Sequence, residues 1–192
     1  MRRFILLTLT ILQMVFIFGM SAQDGDRSGE LSDKVCKAIC YVVVDGYGEM
    51  DPWTQQQYID KLSYPVRKGA HMTEYALLGI LLMETTYSFR FDKLRKKKGK
   101  RRKGFFGQLF WSVSIGFMYA CADEYHQLYV AQRAGQPRDV LFDTAGLLFG
   151  ILVAYIVQKI RVYRIWKKPD FDPVVYENFA YDYGFPVRKY KE

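Results

Sequence analysis

Four apolar stretches set the rhythm of this chain: Phe4–Met20, Gly69–Phe89, Phe105–Ala122 and Val140–Val157, each bounded by polar or charged sequence. A membrane-crossing helix needs about 20 mostly apolar residues, and every stretch is of that order. The second is the most polar, carrying Glu74 and Glu84. A soluble four-helix bundle would instead show a polar stripe along each helix. Val140–Val157 has Asp143 and Thr144 near one end and little else polar. The pattern predicts an all-α fold, a four-helix transmembrane bundle.

The segments between the stretches predict smaller elements. Gln23 to Glu30 is polar and turn-rich. Ser32-Asp33 then precedes Val35, Ile39 and Val42–Val44, which predicts an N-cap and a short extracytoplasmic interfacial helix. Asp45-Gly46 and Asp51-Pro52 punctuate the following loop. Trp53, Tyr58 and Tyr64 suit an interfacial aromatic layer, and Pro65 is expected to break the chain before the second span. Residues 90–103 form an inner loop, and Glu124–Arg138 joins the third and fourth spans. Residues 1–168 are read as one membrane domain, and 169–192 as a cytoplasmic tail.

Charge gives the bundle its orientation. The 192 residues carry a net charge of +8. Half are hydrophobic, yet mean hydropathy is only −0.12; that average hides the apolar stretches, because the charges are segregated between them. Residues 90–103 are dominated by Lys and Arg, with Asp92 the one acid. Arg2 and Arg3 precede the first stretch; Lys159, Arg161, Arg164, Lys167 and Lys168 follow the last. Four crossings put all three basic segments on one side, and Lys/Arg excess marks the cytoplasm. A multi-pass cell-membrane protein with both termini cytoplasmic follows. A basic run between two spans fits topology and anionic lipid better than nucleic acid, so no nucleic-acid partner is expected. The start of the chain also fits a signal peptide cleaved near Gly19-Met20-Ser21-Ala22, but the apolar run is long for one, and a retained span is expected. Either way residues 21–68 lie outside the cytoplasm.

The same topology collects the chemistry at one face. Arg67, Lys68, His71, Glu74 and Tyr75 open the second span; Asp123, Glu124, His126 and Gln127 close the third; Arg133, Arg138, Asp139 and Asp143 lead into the fourth. Both histidines of the chain are among them. Ionisable groups at a bundle end mark a site. Helical spacing puts Gly116, Ala120, Asp123 and Gln127 on one stripe, and Asp139, Asp143, Gly146 and Gly150 on another. Small residues four apart allow close helix contact in lipid, so these stripes, with Asp123 and Asp143, should face inward. Two readings compete. In one, the charges form an ion-paired cap tying the helices together. In the other, cations hold an anionic lipid, wall precursor or drug, since arginine suits phosphate and carboxylate.

Catalytic signatures are sparse. There is no His-Glu-x-x-His, no Gly-x-Ser-x-Gly and no zinc-type Cys-x-x-Cys, so no metal and no cofactor is expected. Cys36, Cys40 and Cys121 read as buried apolar thiols. A metal-assisted hydrolase or transferase acting on lipid headgroups remains the enzymatic alternative, and a structural or partner-binding bundle the third reading.

Several segments together resemble the VanZ-like membrane protein family, named for a protein linked to teicoplanin resistance. They are Phe18-Gly19-Met20-Ser21-Ala22-Gln23, Arg67-Lys68-Gly69-Ala70-His71-Met72-Thr73-Glu74-Tyr75, Asp123-Glu124-Tyr125-His126-Gln127, and Arg133 with Arg138-Asp139-Val140 and Asp143-Thr144-Ala145-Gly146. The likeness covers roughly residues 1–158. Asp143 departs from it, standing where the family often has Asn; the basic inner loop and the aromatic tail are further departures. The resemblance implies a four-span integral membrane protein and a link to glycopeptide tolerance. It implies no particular reaction. The expected function is an envelope membrane protein with an extracytoplasmic polar pocket for an anionic lipid, wall-related ligand or glycopeptide, with membrane lipids as partners.

Overall fold

A computed structural model describes residues 2–95, 104–133 and 135–166. Of the inner loop expected at 90–103, residues 90–95 are helical instead, while 96–103 and the expected tail at 169–192 lie outside the described residues. The described residues form helices α1 (Arg2–Ser21), α2 (Gly25–Val43), α3 (Pro52–Arg95), α4 (Gly104–Gln127) and α5 (Pro137–Trp166), with a single 3-10 turn at Tyr47–Glu49 between α2 and α3. No strand occurs among them.

Local chemistry explains several of the helix ends. Asp51 caps α3: its Oδ1 accepts the N–H groups of Trp53 and Thr54, each at 3.0 Å. Pro52 follows at the first helical position, where its missing N–H has no helical partner to lose. Pro137 and Asp139 open α5 in the same manner, a proline then an acid in the first turn. The link from α2 turns at Gly46, whose φ of 69° is left-handed and suits glycine.

Three sequence expectations are corrected. Pro65 does not break the chain; it lies inside the 44-residue α3. Proline removes one helical hydrogen bond, but Pro65 is on an exposed stretch, where water can satisfy the Lys61 carbonyl. The helix expected to begin at Ser32-Asp33 begins at Gly25 instead. Ser32 is not its cap, because its hydroxyl donates back to the Ser28 carbonyl at 3.0 Å, an interior arrangement. Asp123 to Gln127 is the last turn of α4 rather than the start of a loop. Backbone N–H groups of Leu128, Tyr129 and Val130 bond to the carbonyls of Tyr125, His126 and Gln127, which closes the helix there.

Helix α3 is the hub. It packs most extensively on α5, and also on α1, α2 and α4. Glycines on α3 and α5 permit this closeness. A Cβ at Gly146 would meet the Met72 carbonyl, one at Gly150 the Ala76 carbonyl, and one at Gly79 the Leu147 carbonyl. The expected small-residue stripe is therefore the α3–α5 seam, while Gly116 on α4 accommodates the Leu147 side chain. The core around this seam holds Ile17, Tyr75, Leu78, Leu82, Met83, Ala120, Leu147, Ile151 and Ala154.

Away from the core, the helices show large apolar side chains. Phe4 and Val15 on α1, Phe106, Trp111 and Met118 on α4, and Leu141 and Phe149 on α5 are all exposed. Soluble domains rarely expose apolar surface so continuously. Arg2–Ser21, Phe105–Gln127 and Pro137–Arg161 are long and apolar enough to cross a membrane. The expected span within α3 is not among these, because His71, Glu74 and Glu84 dilute it. Within it Tyr75, Leu78, Leu82 and Met83 face the other helices, while Leu77 and Phe89 are exposed.

Candidate functional site

One end of the bundle gathers the C-termini of α1 and α4, the N-terminus of α5 and the middle of α3. The approach of Gly146 to Met72 fixes how the first turns of α5 lie beside His71 and Tyr75. Asp139 and Asp143, one turn apart, then share the buried face of α5, 8% and 2% exposed. Asp123 and Gln127, also one turn apart, are buried on α4, as is Glu124. The acids of the two expected inward stripes are thus all buried.

Ser21, at the end of α1, donates its hydroxyl to Asp123 Oδ2 at 2.7 Å. The Gln127 amide lies at 3.4 Å from the same oxygen and 3.5 Å from Ser21 Oγ. Lys68 is ion-paired with Asp139, both side chains largely buried. Glu124 Oε2 accepts the backbone N–H of Gln136 at 3.1 Å, which ties the α4–α5 loop to α4. His71 Nδ1 stands 3.8 Å from Glu74 Oε2 one turn on, an ion pair only when the imidazole is protonated. His126 stacks on Phe18 of α1, centroids 4.4 Å apart and planes 27° apart.

The loop cation is anchored by backbone. Arg133 donates from Nε to the Gln23 carbonyl at 3.2 Å and from a terminal nitrogen to the Met20 carbonyl at 3.5 Å. Burial, then the like charge of Arg67, holds its guanidinium below the ordinary arginine value, against the pull of Asp123, Glu124 and Glu74. Those influences place Arg67 beside the same cluster. Arg138 is not in it: its side chain is exposed and donates to Gln136 Oε1 at 2.8 Å.

Buried oxygen and nitrogen atoms concentrate here without partners. Among the described residues they include Glu74 Oε2, Asp123 Oδ1, Asp139 Oδ1, Asp143 Oδ2, Thr144 Oγ1, His71 Nδ1 and His126 Nε2. Buried polar groups are ordinarily satisfied, and an orphan needs an explanation such as water, an ion or a ligand. Among the described residues, no three His, Cys, Asp or Glu side chains are arranged to hold a metal ion.

Sequence reasoning did not single out Ser21, Gln23, Phe18 or Thr144 as site residues, although Ser21 and Gln23 stand in a Ser-x-Gln where the first span ends. It also missed a second polar centre at the opposite end. There Glu84, 9% exposed, accepts from Gln158 at 3.1 Å, Arg161 at 3.3 Å and Arg2 at 3.0 Å. A lone carboxylate in an apolar stretch, opposite a Gln and an Arg three residues apart, was the available signal.

The family model described as VanZ/LLP1 matches residues 5–158. That span takes in α1 to α5 up to Gln158, and every residue of the polar end. No curated protein and no solved structure matches the chain at a significant level.

Proposed function

The chain belongs to the VanZ/LLP1 family, and from that premise we propose that it is a multi-pass envelope protein whose polar end is a binding pocket outside the cytoplasm. In this reading α3 crosses the bilayer with α1, α4 and α5, shielded by them. Both termini and the basic 96–103 run lie in the cytoplasm, as the distribution of Lys and Arg favours. The pocket takes a lipid headgroup, a wall-related ligand or a glycopeptide, and through it the protein contributes to glycopeptide (teicoplanin) tolerance. The VanZ-like resemblance supports the last step; the pocket rests on the site itself.

One observation carries the reading: buried, incompletely satisfied polar atoms from α3, α4 and α5 converge at one bundle end. A purely ion-paired cap would leave few such orphans, since its gain comes from mutual pairing. The groups that do pair, Ser21 with Asp123 and Lys68 with Asp139, hold the others in place. The test is tolerance of cells expressing Lys68→Ala, His71→Ala, Glu124→Ala or His126→Ala, with insertion checked by size-exclusion profile. Properly inserted variants that lose tolerance support the reading. Wild-type tolerance in all four overturns it.

A further inference from the structure

The pocket's occupant can be narrowed further, on the premise that the polar end is a binding site. The sequence pointed to an anion held by Arg67, Lys68, Arg133 and Arg138. In the structure three of these four cations are engaged, and Arg67 acts as a like charge on Arg133. Lys68 is on Asp139, Arg133 on two backbone carbonyls, and Arg138 on Gln136 outside the cluster. What remains open is mostly oxygen, beside the imidazole nitrogens His71 Nδ1 and His126 Nε2. Asp123 Oδ1, Asp139 Oδ1, Asp143 Oδ2 and Glu74 Oε2 are buried without a hydrogen bond, in residues drawn from three helices.

A second observation does not come from the acids. Tyr75 is wholly buried, and its hydroxyl completes no hydrogen bond. It lies close to Asp123 and Asp143, the carboxylates that act on it most strongly. Its O–H is directed at Asp123, which leaves the phenol oxygen as a neutral acceptor in the same space. Thr144 Oγ1, next to Asp143 in sequence, is a further unpaired buried oxygen.

An acceptor-rich space at low dielectric repels anions and attracts a group that brings charge and donors together. A primary ammonium has three donors and no acceptor. A quaternary ammonium has no donors and calls for an aromatic cage. A divalent metal needs a ligand set that is not arranged here among the described residues.

We propose that the polar end binds a primary ammonium group, with Asp123 Oδ1 and Asp143 Oδ2 as its charged acceptors and the Tyr75 hydroxyl as a neutral one. Such a group is found on ethanolamine lipid headgroups and on free amines such as the side chain of a wall peptide.

The test uses the full-length protein. Native mass spectrometry compares its retention of phosphatidylethanolamine, phosphatidylcholine and phosphatidylglycerol from an equimolar mixture. Thermal shift with ethanolamine and with Nα-acetyl-lysine supplies the free-amine arm. The ethanolamine lipid should be retained about tenfold over the choline lipid, because charge-assisted hydrogen bonds are lost on full methylation. Asp143→Asn and Tyr75→Phe should each reduce that preference, and exposed Arg138→Ala should keep it. Tyr75→Phe retains the ring that packs in the core, so its effect reads the hydroxyl alone. A thermal shift with the soluble amines and no lipid preference keeps the ammonium site and assigns it to a free amine. Preference for phosphatidylglycerol overturns the ammonium assignment but leaves the headgroup pocket standing. Equal retention of the ethanolamine and choline lipids, with no amine shift, also overturns the assignment. Retention of no lipid and no amine response overturns the pocket as well.

Discussion

Gly150→Ala should destabilise the protein, although alanine is the better helix former. The position lies mid-helix in α5, where the added Cβ would fall on the Ala76 carbonyl of α3. Replacing glycine by alanine inside a helix gains up to about 1 kcal/mol from backbone entropy. Overpacking costs about 1–3 kcal/mol, and the upper value applies because the obstacle is backbone, which cannot swing aside like a side-chain tip. The net loss is then about 2 kcal/mol. For a chain of this size that lowers the melting temperature by roughly 4–8 °C. The assay is thermal unfolding in detergent followed by size-exclusion fluorescence. Gly69→Ala, in α3 with nothing within 4 Å of the new Cβ, is the internal control and should be neutral or stabilising. If Gly150→Ala melts at or above the wild type, the α3–α5 seam is not the close contact described.

Other perturbations bear on the pairs and ends. Lys68→Ala leaves Asp139 buried and unpaired, a loss on the order of 3 kcal/mol; the double variant with Asp139→Ala should recover much of it in the same melt. Glu84→Gln removes the charge that holds Arg2 and Arg161, but those side chains are 66% and 55% exposed, so the loss should stay near about 1 kcal/mol and shrink in high salt. Pro65→Ala restores an N–H to a helix that already runs through the position, so the melting temperature should rise or hold; a fall would mean the proline makes a needed break.

The apolar rhythm made α1, α4 and α5 legible, because their lipid-length runs appear directly in composition. Helical spacing alone brought Asp123 and Asp143 inward and marked Gly146 and Gly150 as a contact stripe. Other features depend on partners distant in sequence. Proline at 65 reads as a breaker until its exposure shows that the Lys61 carbonyl can be solvated. Ser32 reads as a cap until its hydroxyl is seen on the Ser28 carbonyl. At the site, residue types were legible but their engagement was not. Arg133 counted as a cation free for an anionic ligand, whereas folding spends it on the carbonyls of Met20 and Gln23. The Glu84 centre joins Arg2 and Arg161 across more than seventy residues of sequence, which no local pattern encodes.

Sidedness of the polar end is the claim beneath the rest, and two single-cysteine reporters read it directly. In a background with Cys36, Cys40 and Cys121 replaced, Ala131→Cys stands on the exposed loop beside the site, and Lys97→Cys in the basic run. A membrane-impermeant maleimide applied to intact cells should label position 131 at once and position 97 only after permeabilisation. Labelling of 97 and protection of 131 would put the cluster in the cytoplasm and contradict the account.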